Sequence, residues 1–265
     1  MTDSANLPLD FLKLVAHDVR WQLLKVLAES DRRVQELVEQ LQRPQNLISY
    51  HLRLLREGQV VHEHRSSADG RDIYYSLDLD YLRALYLESG QMLHPALACA
   101  QQVKTDAHQV QGADEEKEDG KRPFRVLFLC THNSARSQLA EGILRASGGS
   151  QVEVFSAGSE PSQVHPTAVR AAAAIQIDIS SQRSRHMDEF AGQNFDYVIT
   201  VCDRVREVCP VFPGDPQQIH WSFSDPAAVT GSDDEQFQAF FQTARELSTR
   251  INYLRLMMER HPKEQ

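Results

Sequence analysis

A polar, acidic segment divides this chain and limits each part to the size of a small domain. Residues 101–122 read QQVKTDAHQVQGADEEKEDGKR, and five of the six residues from 114 to 119 are acidic. Such a stretch cannot bury enough apolar surface to offset the entropy lost when it becomes ordered. We therefore predict an N-terminal domain over 1–100, a polar acidic linker over 101–122 and a C-terminal domain over 123–265.

The bulk properties agree with two soluble domains. The chain has 265 residues, 41% of them hydrophobic and 25% charged, which is typical of globular proteins. No apolar run reaches the roughly 20 residues that a membrane span needs, and the N-terminus lacks the basic and apolar regions of a secretion signal. We expect a cytoplasmic protein that does not bind membranes. The net charge of −9 argues against nucleic-acid binding through a bulk positive field, but it allows a local basic face.

The N-terminal part has the pattern of a winged helix-turn-helix, mainly α with one β-hairpin. Apolar residues at intervals of three and four predict helices over 10–28, 34–41 and 44–56, and a further helical pattern over 80–100. Between the helices over 44–56 and 80–100, a segment over 60–77 in which apolar and polar residues alternate, with a polar tip, predicts the hairpin. The third helix is polar on its outer face. A winged helix used only for protein contacts is the alternative to a DNA reader.

The candidate DNA contacts lie on that outer face and at the hairpin tip. Polar and basic side chains there can bond base edges or phosphates. They are Gln45, Asn46, Ser49, Tyr50 and Arg53 on the helix, and Arg65 and Arg71 at the tip.

Residues 9–97 resemble the ArsR-type family of dimeric repressors. The resemblance rests on LVEQL, LISYHLRLLREGQVV and GRDIYYSL. It implies operator DNA as a partner and a homodimer formed through the first and last helices of this domain. The recognition helix carries no cysteine for arsenite, and Cys99 is the only thiol of this half. His51, His62, His64 and His94 raise the alternative of a zinc or nickel sensor, but no carboxylate-rich ligand set accompanies them, so we predict no metal site.

The C-terminal part alternates strands and helices, which indicates an α/β fold with a parallel sheet. Strands are predicted over 125–129, 152–156 and 197–201, and helices over 137–147, 167–174 and 235–258. Between the first strand and its helix lies Cys130-Thr-His-Asn-Ser-Ala-Arg136-Ser137. The backbone N–H groups of such a loop can hold a tetrahedral oxyanion at a helix N-terminus, and Arg136 can grip it with two hydrogen bonds.

This positive environment favours the nucleophilic thiolate form of Cys130. We expect the remaining loop residues to form the oxyanion site. They are Thr131, His132, Asn133, Ser134, Ala135 and Ser137, with Asn133 and Ser137 also holding the thiolate by hydrogen bonds.

The loop alone fits either a tyrosine phosphatase or an arsenate reductase, because phosphate and arsenate share shape and charge. Cys202 and Cys209 follow a predicted strand, at the edge where parallel sheets place active-site loops. A disulfide relay needs three thiols, whereas a phosphatase needs one. Two buried structural cysteines are the other interpretation.

Residues 125–258 resemble the thioredoxin-coupled arsenate reductases, which have the low-molecular-weight tyrosine phosphatase fold with a four-stranded parallel sheet. The matching segments are VLFLCTHNSARSQLAEG, VFSAG, DIS, VITVCDRVREVCPVFPG and HWSFSDPA. The resemblance implies that Cys130 attacks arsenate, that Asp225 is the general acid, that Cys202 attacks Cys130 and releases arsenite, and that Cys209 then takes over the disulfide. An external thioredoxin-type protein would reduce it, with no tightly bound cofactor.

Two departures bear on this interpretation. Asp225-Pro-Ala lacks the tyrosine that phosphatases of this fold usually carry after the Asp-Pro pair. Some relatives bind potassium through four side chains, and Asn133, Glu141 and Ser156 match three of them, but Arg185 stands at the fourth position, so a bound cation is not expected.

The two resemblances together predict a repressor fused to an arsenate reductase. The alternatives are a non-enzymatic arsenic- or oxyanion-sensing regulator and a protein tyrosine phosphatase fused to a regulator.

Overall fold

The computed structural model describes residues 7–94 and 122–260. The chain divides into two compact units. The first comprises Met1–Ala28, Val34–His62 and Leu77–Lys121, and the second comprises Glu29–Arg33, Glu63–Ser76 and Arg122–Gln265. The predicted linker, apart from Arg122, and the thiol of Cys99 lie outside the described residues.

In the described part of the N-terminal region, residues 7–94, there are five helices. They are α1 (Leu7–Val15), α2 (Asp18–Glu29), α3 (Val34–Leu41), α4 (Gln45–Glu57) and α5 (Leu79–Leu93). The apolar positions that predicted helices here form a core, and fully buried side chains include Leu23, Leu37, Ile48 and Leu52. The predicted helical region is thereby confirmed.

The single helix predicted over 10–28 is wrong, because the structure has two helices there. The chain breaks between α1 and α2 at Ala16 and His17. The Nδ1 atom of His17 accepts a hydrogen bond of 3.2 Å from the backbone N–H of Val19, which satisfies one of the N–H groups left without a helical partner at the start of α2. Apolar spacing continues through this break, so periodicity alone did not reveal it.

The predicted hairpin is present as strands β2 (Val61–Arg65) and β3 (Ile73–Leu77). A two-residue strand that the sequence analysis did not predict, β1 (Arg32–Arg33), lies beside β3 and gives the sheet order β1-β3-β2. β1 and β3 are antiparallel, with Arg32 opposite Tyr75.

The C-terminal sheet has four parallel strands, as expected, and their order is β5-β4-β6-β7. They are β4 (Phe124–Cys130), β5 (Val152–Gly158), β6 (Tyr197–Thr200) and β7 (Gln217–His220). In the register of the sheet Cys130 lies opposite Gly158, and Leu129 lies opposite Thr200. The carboxyl ends of β4, β5 and β6 therefore meet at one edge, where ligand sites of parallel sheets are found.

Within the described residues 122–260, four helices accompany this sheet. They are α6 (Arg136–Gly148), α7 (Pro166–Ala174), α8 (Asp203–Glu207) and α9 (Asp233–Arg260), and α9 packs against α6 and α7. Short 3-10 turns occur at Gly149–Gln151, Met187–Phe190 and Pro226–Ala228. Phe128, Leu139 and Phe240 lie in the hydrophobic core between these elements. Among the described residues, no helix combines the length and the apolar character that crossing a membrane requires.

Candidate functional site

The loop between β4 and α6 has its outer carbonyl groups bound by the chain that follows β5. Three backbone hydrogen bonds of 2.9 Å make this connection: from Glu160 to Thr131, from Ser162 to His132, and from His165 to Ser134. The carbonyl of Asn133 accepts two more bonds, from Gln138 and Ser184. With its carbonyls held on the outside, the loop has the arrangement in which backbone N–H groups can face an anion.

Two residues allow this tight loop to close. Asn133 has a φ of +45°, in the left-handed region that asparagine tolerates better than most residues. Gly158 packs directly beneath the loop. A Cβ at position 158 would lie 2.5 Å from the carbonyl oxygen of Thr131 and 2.9 Å from the N atom of Asn133, so only glycine fits without displacing the loop.

The sulfur of Cys130 lies inside the loop and is hydrogen-bonded to it. The backbone N–H of Asn133 donates to the sulfur at 3.2 Å, and the hydroxyl of Ser137 lies 2.9 Å away. Helix α6 begins at Arg136, so the positive end of its dipole is next to the sulfur.

Arg136 is buried at the start of α6 and is held from the segment after β7. Its Nη1 atom donates to the carbonyl of Phe223 at 3.0 Å, and Nη2 lies 3.4 Å from a carboxylate oxygen of Asp225. Asp225 is about one third exposed, and so its carboxyl group can meet both the site and water. The predicted anion-binding arginine and the predicted acid are therefore neighbours.

Cys202 follows β6 and lies against the wall of the loop. Its sulfur is 3.3 Å from the hydroxyl of Thr131, and its side chain is buried. Burial raises the pKa of the Cys202 thiol, the nearby Cys130 raises it further, and Arg136 opposes both effects. The thiol of Cys202 thus lies beside Thr131, the residue that follows Cys130.

Cys209 is separated from Cys202 by the short helix α8. Its Sγ atom lies 3.7 Å from the carbonyl oxygen of Pro210. Burial raises the pKa of the Cys209 thiol to about 11. In this conformation the third thiol is protonated at neutral pH, which makes it a weak nucleophile.

The predicted DNA-reading side chains of α4 share one exposed face. Gln45, Asn46, Ser49, Tyr50 and Arg53 are all exposed, whereas Ile48 and Leu52 between them are fully buried. The guanidinium of Arg53 lies 5.5 Å from the centre of the Tyr50 ring and 3.8 Å from the carboxylate of Glu57. The helix therefore presents a polar surface of the kind that reads a major groove.

The two predicted arginines of the hairpin tip are also exposed. Arg65 donates to the carbonyl of Gly70 at 2.9 Å. Arg71 is paired with Asp69, with Nη2 at 2.7 Å from the carboxylate. A phosphate contact by Arg71 would compete with this local ion pair, which makes Arg65 the more available of the two.

Comparison with known proteins agrees with the loop geometry. Residues 125–260 match the family model described as Low molecular weight phosphotyrosine protein phosphatase. The chain belongs to this family. Residues 17–63 match a second model, described as Bacterial regulatory protein, arsR family, so an arsR-type domain is fused to the phosphatase-family domain.

Relatives of the phosphatase-family domain include proteins named arsenate reductase. One from Halalkalibacterium halodurans is 42% identical over 126 residues, 48% of this chain and 91% of that protein. One from Bacillus subtilis is 41% identical over 121 residues, 46% of this chain and 86% of that protein. A solved thioredoxin-dependent arsenate reductase from Corynebacterium glutamicum is 30% identical, with a TM-score of 0.42, over 53% of this chain and 64% of that one.

The four residues that were compared with a potassium site lie together beside the Cys130 loop. They are Asn133, Glu141, Ser156 and Arg185. Glu141 is buried, and the guanidinium of Arg185 lies 3.1 and 3.2 Å from its two oxygens. Ser156 donates to the same carboxylate and accepts from Asn133 at 2.8 Å. Across the residues that the structure describes, no group of three or more His, Cys, Asp or Glu side chains is placed to hold a metal ion.

Three features of the site were not predicted. Gln138 joins the carbonyls of Asn133 and Arg183, Gly158 packs under the loop, and Asp203 forms a buried pair with His220 at 3.1 Å. The sequence held one signal for the first of these. Gln138 and Glu141 are polar residues three positions apart on α6, and both are buried. A buried polar side chain needs a hydrogen-bond partner.

Proposed function

We propose that this chain is a bifunctional arsenic-resistance protein, in which a DNA-binding repressor is joined to a thiol-dependent arsenate reductase. The observation that carries the reductase assignment is the position of Cys202. Its sulfur lies 3.3 Å from the hydroxyl of Thr131 in the Cys130 loop, and a phosphatase has no use for a second thiol there. The identity of 42% to a protein named arsenate reductase supports the same assignment.

The first step is attack of the Cys130 thiolate on arsenic. Arg136 and the loop N–H groups hold the arsenate oxygens, and an arsenic–sulfur bond forms as an arsenic–oxygen bond breaks. Asp225 is next to Arg136 and gives a proton to the departing oxygen, which leaves as water. The product is a covalent adduct between Cys130 and pentavalent arsenic.

The second step reduces arsenic. The thiolate of Cys202 attacks the sulfur of Cys130, a disulfide forms, and the electron pair of the arsenic–sulfur bond passes to arsenic, which leaves as arsenite. Cys209 then attacks Cys202, releases Cys130 and leaves a Cys202–Cys209 disulfide. An external thioredoxin-type dithiol reduces this disulfide and becomes oxidised itself. No tightly bound cofactor takes part.

The repressor assignment rests on α4 and on the arsR-family match over residues 17–63. A homodimer formed through the N-terminal domain would place two copies of α4 on a palindromic operator. We place the protein in the cytoplasm, where thioredoxin and DNA are both available. Gln45, Asn46, Ser49, Tyr50 and Arg53 would read bases or phosphates, with Arg65 and Arg71 contacting the backbone.

The decisive experiment measures NADPH oxidation by arsenate in the presence of thioredoxin and thioredoxin reductase. Wild type should turn over continuously. Cys209→Ala should release about one arsenite per protein and then stop, because the Cys130–Cys202 disulfide cannot be passed on. Cys99→Ala is the matched control and should turn over like wild type.

Two outcomes would replace this proposal. Arsenate binding without any NADPH oxidation would favour a non-enzymatic sensor. Hydrolysis of a phosphotyrosine peptide at a rate unchanged by Cys202→Ser and Cys209→Ser, together with no arsenate reduction, would favour a tyrosine phosphatase fused to a regulator.

A further inference from the structure

A small cavity lies against the C-terminal sheet where β6 and β7 are paired, and its volume is about 80 Å³. At roughly 30 Å³ per water molecule, this is room for an ion or molecule of only a few heavy atoms. Two residues of each strand line it, Val198 and Thr200 on β6 and Gln218 and His220 on β7, and they are opposite each other in the register. Side chains two apart on a strand point to the same face, so these four form one continuous surface.

Two arginines and a thiol are also part of the lining. Arg32 belongs to β1, Arg206 to α8, and Cys209 to the segment that follows α8. All three lie in the second compact unit of the chain, together with β6 and β7. None of the residues 130–137, which form the Cys130 loop, lines the cavity. The cavity is therefore a site apart from that loop.

The guanidinium of Arg32 has a buried N–H group without an acceptor. Within residues 7–94 and 122–260, no atom accepts a hydrogen bond from its Nε atom. Arg33, the next residue of the strand, is by contrast paired with the carboxylate of Asp72 at 2.6 Å. A buried donor without an acceptor costs free energy, so a ligand that accepts from Arg32 removes this cost when it binds.

The charges around the cavity favour an anion. Among the described residues, no carboxylate lines it. Asp31, which precedes Arg32, is bound by Arg250 at 2.9 Å. Asp203 accepts from the Nε2 atom of His220 at 3.1 Å. Both buried carboxylates are thus engaged outside the cavity, and the guanidinium groups of the lining dominate its electrostatic potential.

The donors also suit one class of anion. A guanidinium is a planar fork that matches the oxygens of a tetrahedral oxyanion. The guanidinium of Arg206 lies 5.2 Å from the centre of the Tyr74 ring, and stacking of this kind holds it in place before a ligand arrives. We propose that this cavity is a second oxyanion site, which takes a tetrahedral inorganic oxyanion of the phosphate class independently of the Cys130 loop.

An oxyanion in this cavity changes the reactivity of Cys209. The thiol and the ion share one small enclosure, so the ion covers the sulfur and repels negative charge that forms on it. Binding of the ion does not depend on the proposed reduction of arsenate. Its consequence for the disulfide relay does rest on that proposed function, because Cys209 acts only in the relay.

The test measures alkylation of Cys130 and Cys209 by iodoacetamide in the full chain, with each peptide quantified by mass spectrometry. Because burial raises the pKa of Cys209 to about 11, about 1% of it is thiolate at about pH 9, which is enough for slow alkylation. Inorganic phosphate should slow alkylation of Cys209 about tenfold when nine-tenths of the cavities are occupied. Sodium chloride at the same ionic strength should not protect it.

Three variants separate the cavity from the loop. In Arg32→Gln, protection of Cys209 should need roughly tenfold more phosphate, because a charge-assisted hydrogen bond is lost, while protection of Cys130 stays as in wild type. Arg33→Gln is the matched control, with the same substitution on the same strand, and should protect both thiols. Arg136→Lys should give the reverse of Arg32→Gln, with Cys130 less protected and Cys209 protected as in wild type.

A fourth variant keeps the test valid if Arg32→Gln fails to fold. Arg206→Gln removes the other guanidinium of the lining and should weaken protection of Cys209 in the same way. The circular dichroism spectrum and thermal unfolding of each variant verify its folding.

Three results would overturn the proposal. The first is alkylation of Cys209 that phosphate does not slow, whatever happens at Cys130. The second is equal protection of Cys209 by sodium chloride. The third is protection of Cys209 that persists unchanged in the folded Arg32→Gln or Arg206→Gln variant, or that disappears in Arg136→Lys. Phosphate that protects Cys209 but not Cys130 would instead count against the Cys130 loop as an oxyanion site, so the two proposals can fail separately.

Discussion

The loop that holds Cys130 and the segment that carries Cys202 and Cys209 are built in opposite ways. The loop is fixed from outside by backbone hydrogen bonds, from below by Gly158 and from within by Asn133 and Ser137. The other segment contains one five-residue helix, α8. The sulfur of Cys202 contacts Thr131 of the loop. Among the hydrogen bonds of the described residues, the sulfur of Cys209 contacts only the carbonyl oxygen of Pro210.

This difference separates the part of the reaction that needs a fixed geometry from the part that needs movement. Binding a tetrahedral anion and activating a nucleophile require groups that are already in place. Passing a disulfide along three sulfurs requires each sulfur to approach the next in turn. The Cys130 loop is held by many hydrogen bonds, whereas the sulfur of Cys209 is half-buried beside Pro210, and the following predictions test each side of that contrast.

The largest effect is expected at Arg136. Arg136→Lys keeps the charge but loses the planar pair of donors, so kcat/KM for arsenate should fall by roughly 10²–10³, or about 3–4 kcal/mol. Steady-state NADPH oxidation measures this. Arg170→Lys, at an exposed ion pair with Asp233, is the control. A loss below tenfold would mean that the loop binds arsenate without the guanidinium.

The next prediction concerns how the reaction rate of Cys209 depends on pH. Because burial raises the pKa of Cys209 to about 11, its thiolate fraction should rise about tenfold for each pH unit between pH 7 and pH 9. Formation of the Cys202–Cys209 disulfide in a single turnover, quenched with acid and measured by mass spectrometry, should accelerate in the same proportion. A rate that levels off by pH 8 would show that Cys209 leaves its buried position before it reacts.

A smaller effect is expected from filling the space under the loop. Gly158→Ala should lower the free energy of unfolding by about 2 kcal/mol, because the added Cβ collides with Thr131 and Asn133. Chemical denaturation measures the loss. The control is Gly70→Ala, where a Cβ would meet no atom within 4 Å. If the two variants were equally stable, the loop would be more adaptable than its hydrogen bonds indicate.

The smallest effect concerns the buried Asp203–His220 pair in the segment that carries Cys202 and Cys209. Burial alone would raise the pKa of Asp203, but hydrogen bonds from His220 and Ser222 outweigh it and lower the pKa. The carboxylate therefore contributes stability above about pH 4, and this contribution is lost as the pH falls through the lowered pKa. Asp203→Asn should cost about 1–2 kcal/mol at pH 7, and this cost should shrink only below about pH 4, most of it as the pH approaches the lowered pKa.

Urea unfolding of wild type and Asp203→Asn at a series of pH values from 7 down to 2 measures this difference. Asp233→Asn, which removes an exposed carboxylate, should leave the stability unchanged. A difference between wild type and Asp203→Asn that stays constant over the whole series would rule out ionisation of Asp203 as its source.

Most of the fold could be predicted because apolar spacing decides which surfaces are buried. The predicted helix over 137–147 is one residue shorter than α6 at each end, and the predicted strand over 152–156 begins with β5 but ends two residues before it. Strand β7 was not located by pattern, since only Ile219 and His220 of its four residues are buried. The break between α1 and α2 depends on a histidine cap, which apolar spacing does not encode.

The Cys130 loop could be predicted because its functional residues are close together in the sequence. Cys130, Arg136 and Ser137 lie within eight residues, so strand, loop and helix bring them together without further folding. The contacts of Arg185 join distant segments, because it is 44 residues from Glu141 and 52 from Asn133. The sequence shows position 185 only as a mismatch with a cation site, since these contacts exist only in the folded chain.

The outer carbonyls of the Cys130 loop are bound by backbone N–H groups of residues 160–165. Little conformational entropy is lost when an oxyanion enters a loop held in this way, and its affinity comes mainly from charge. Weakening of oxyanion binding by added salt would therefore directly report the electrostatic part of recognition. Ser162→Pro, which removes the backbone N–H that bonds to His132, should weaken binding by adding an ordering cost.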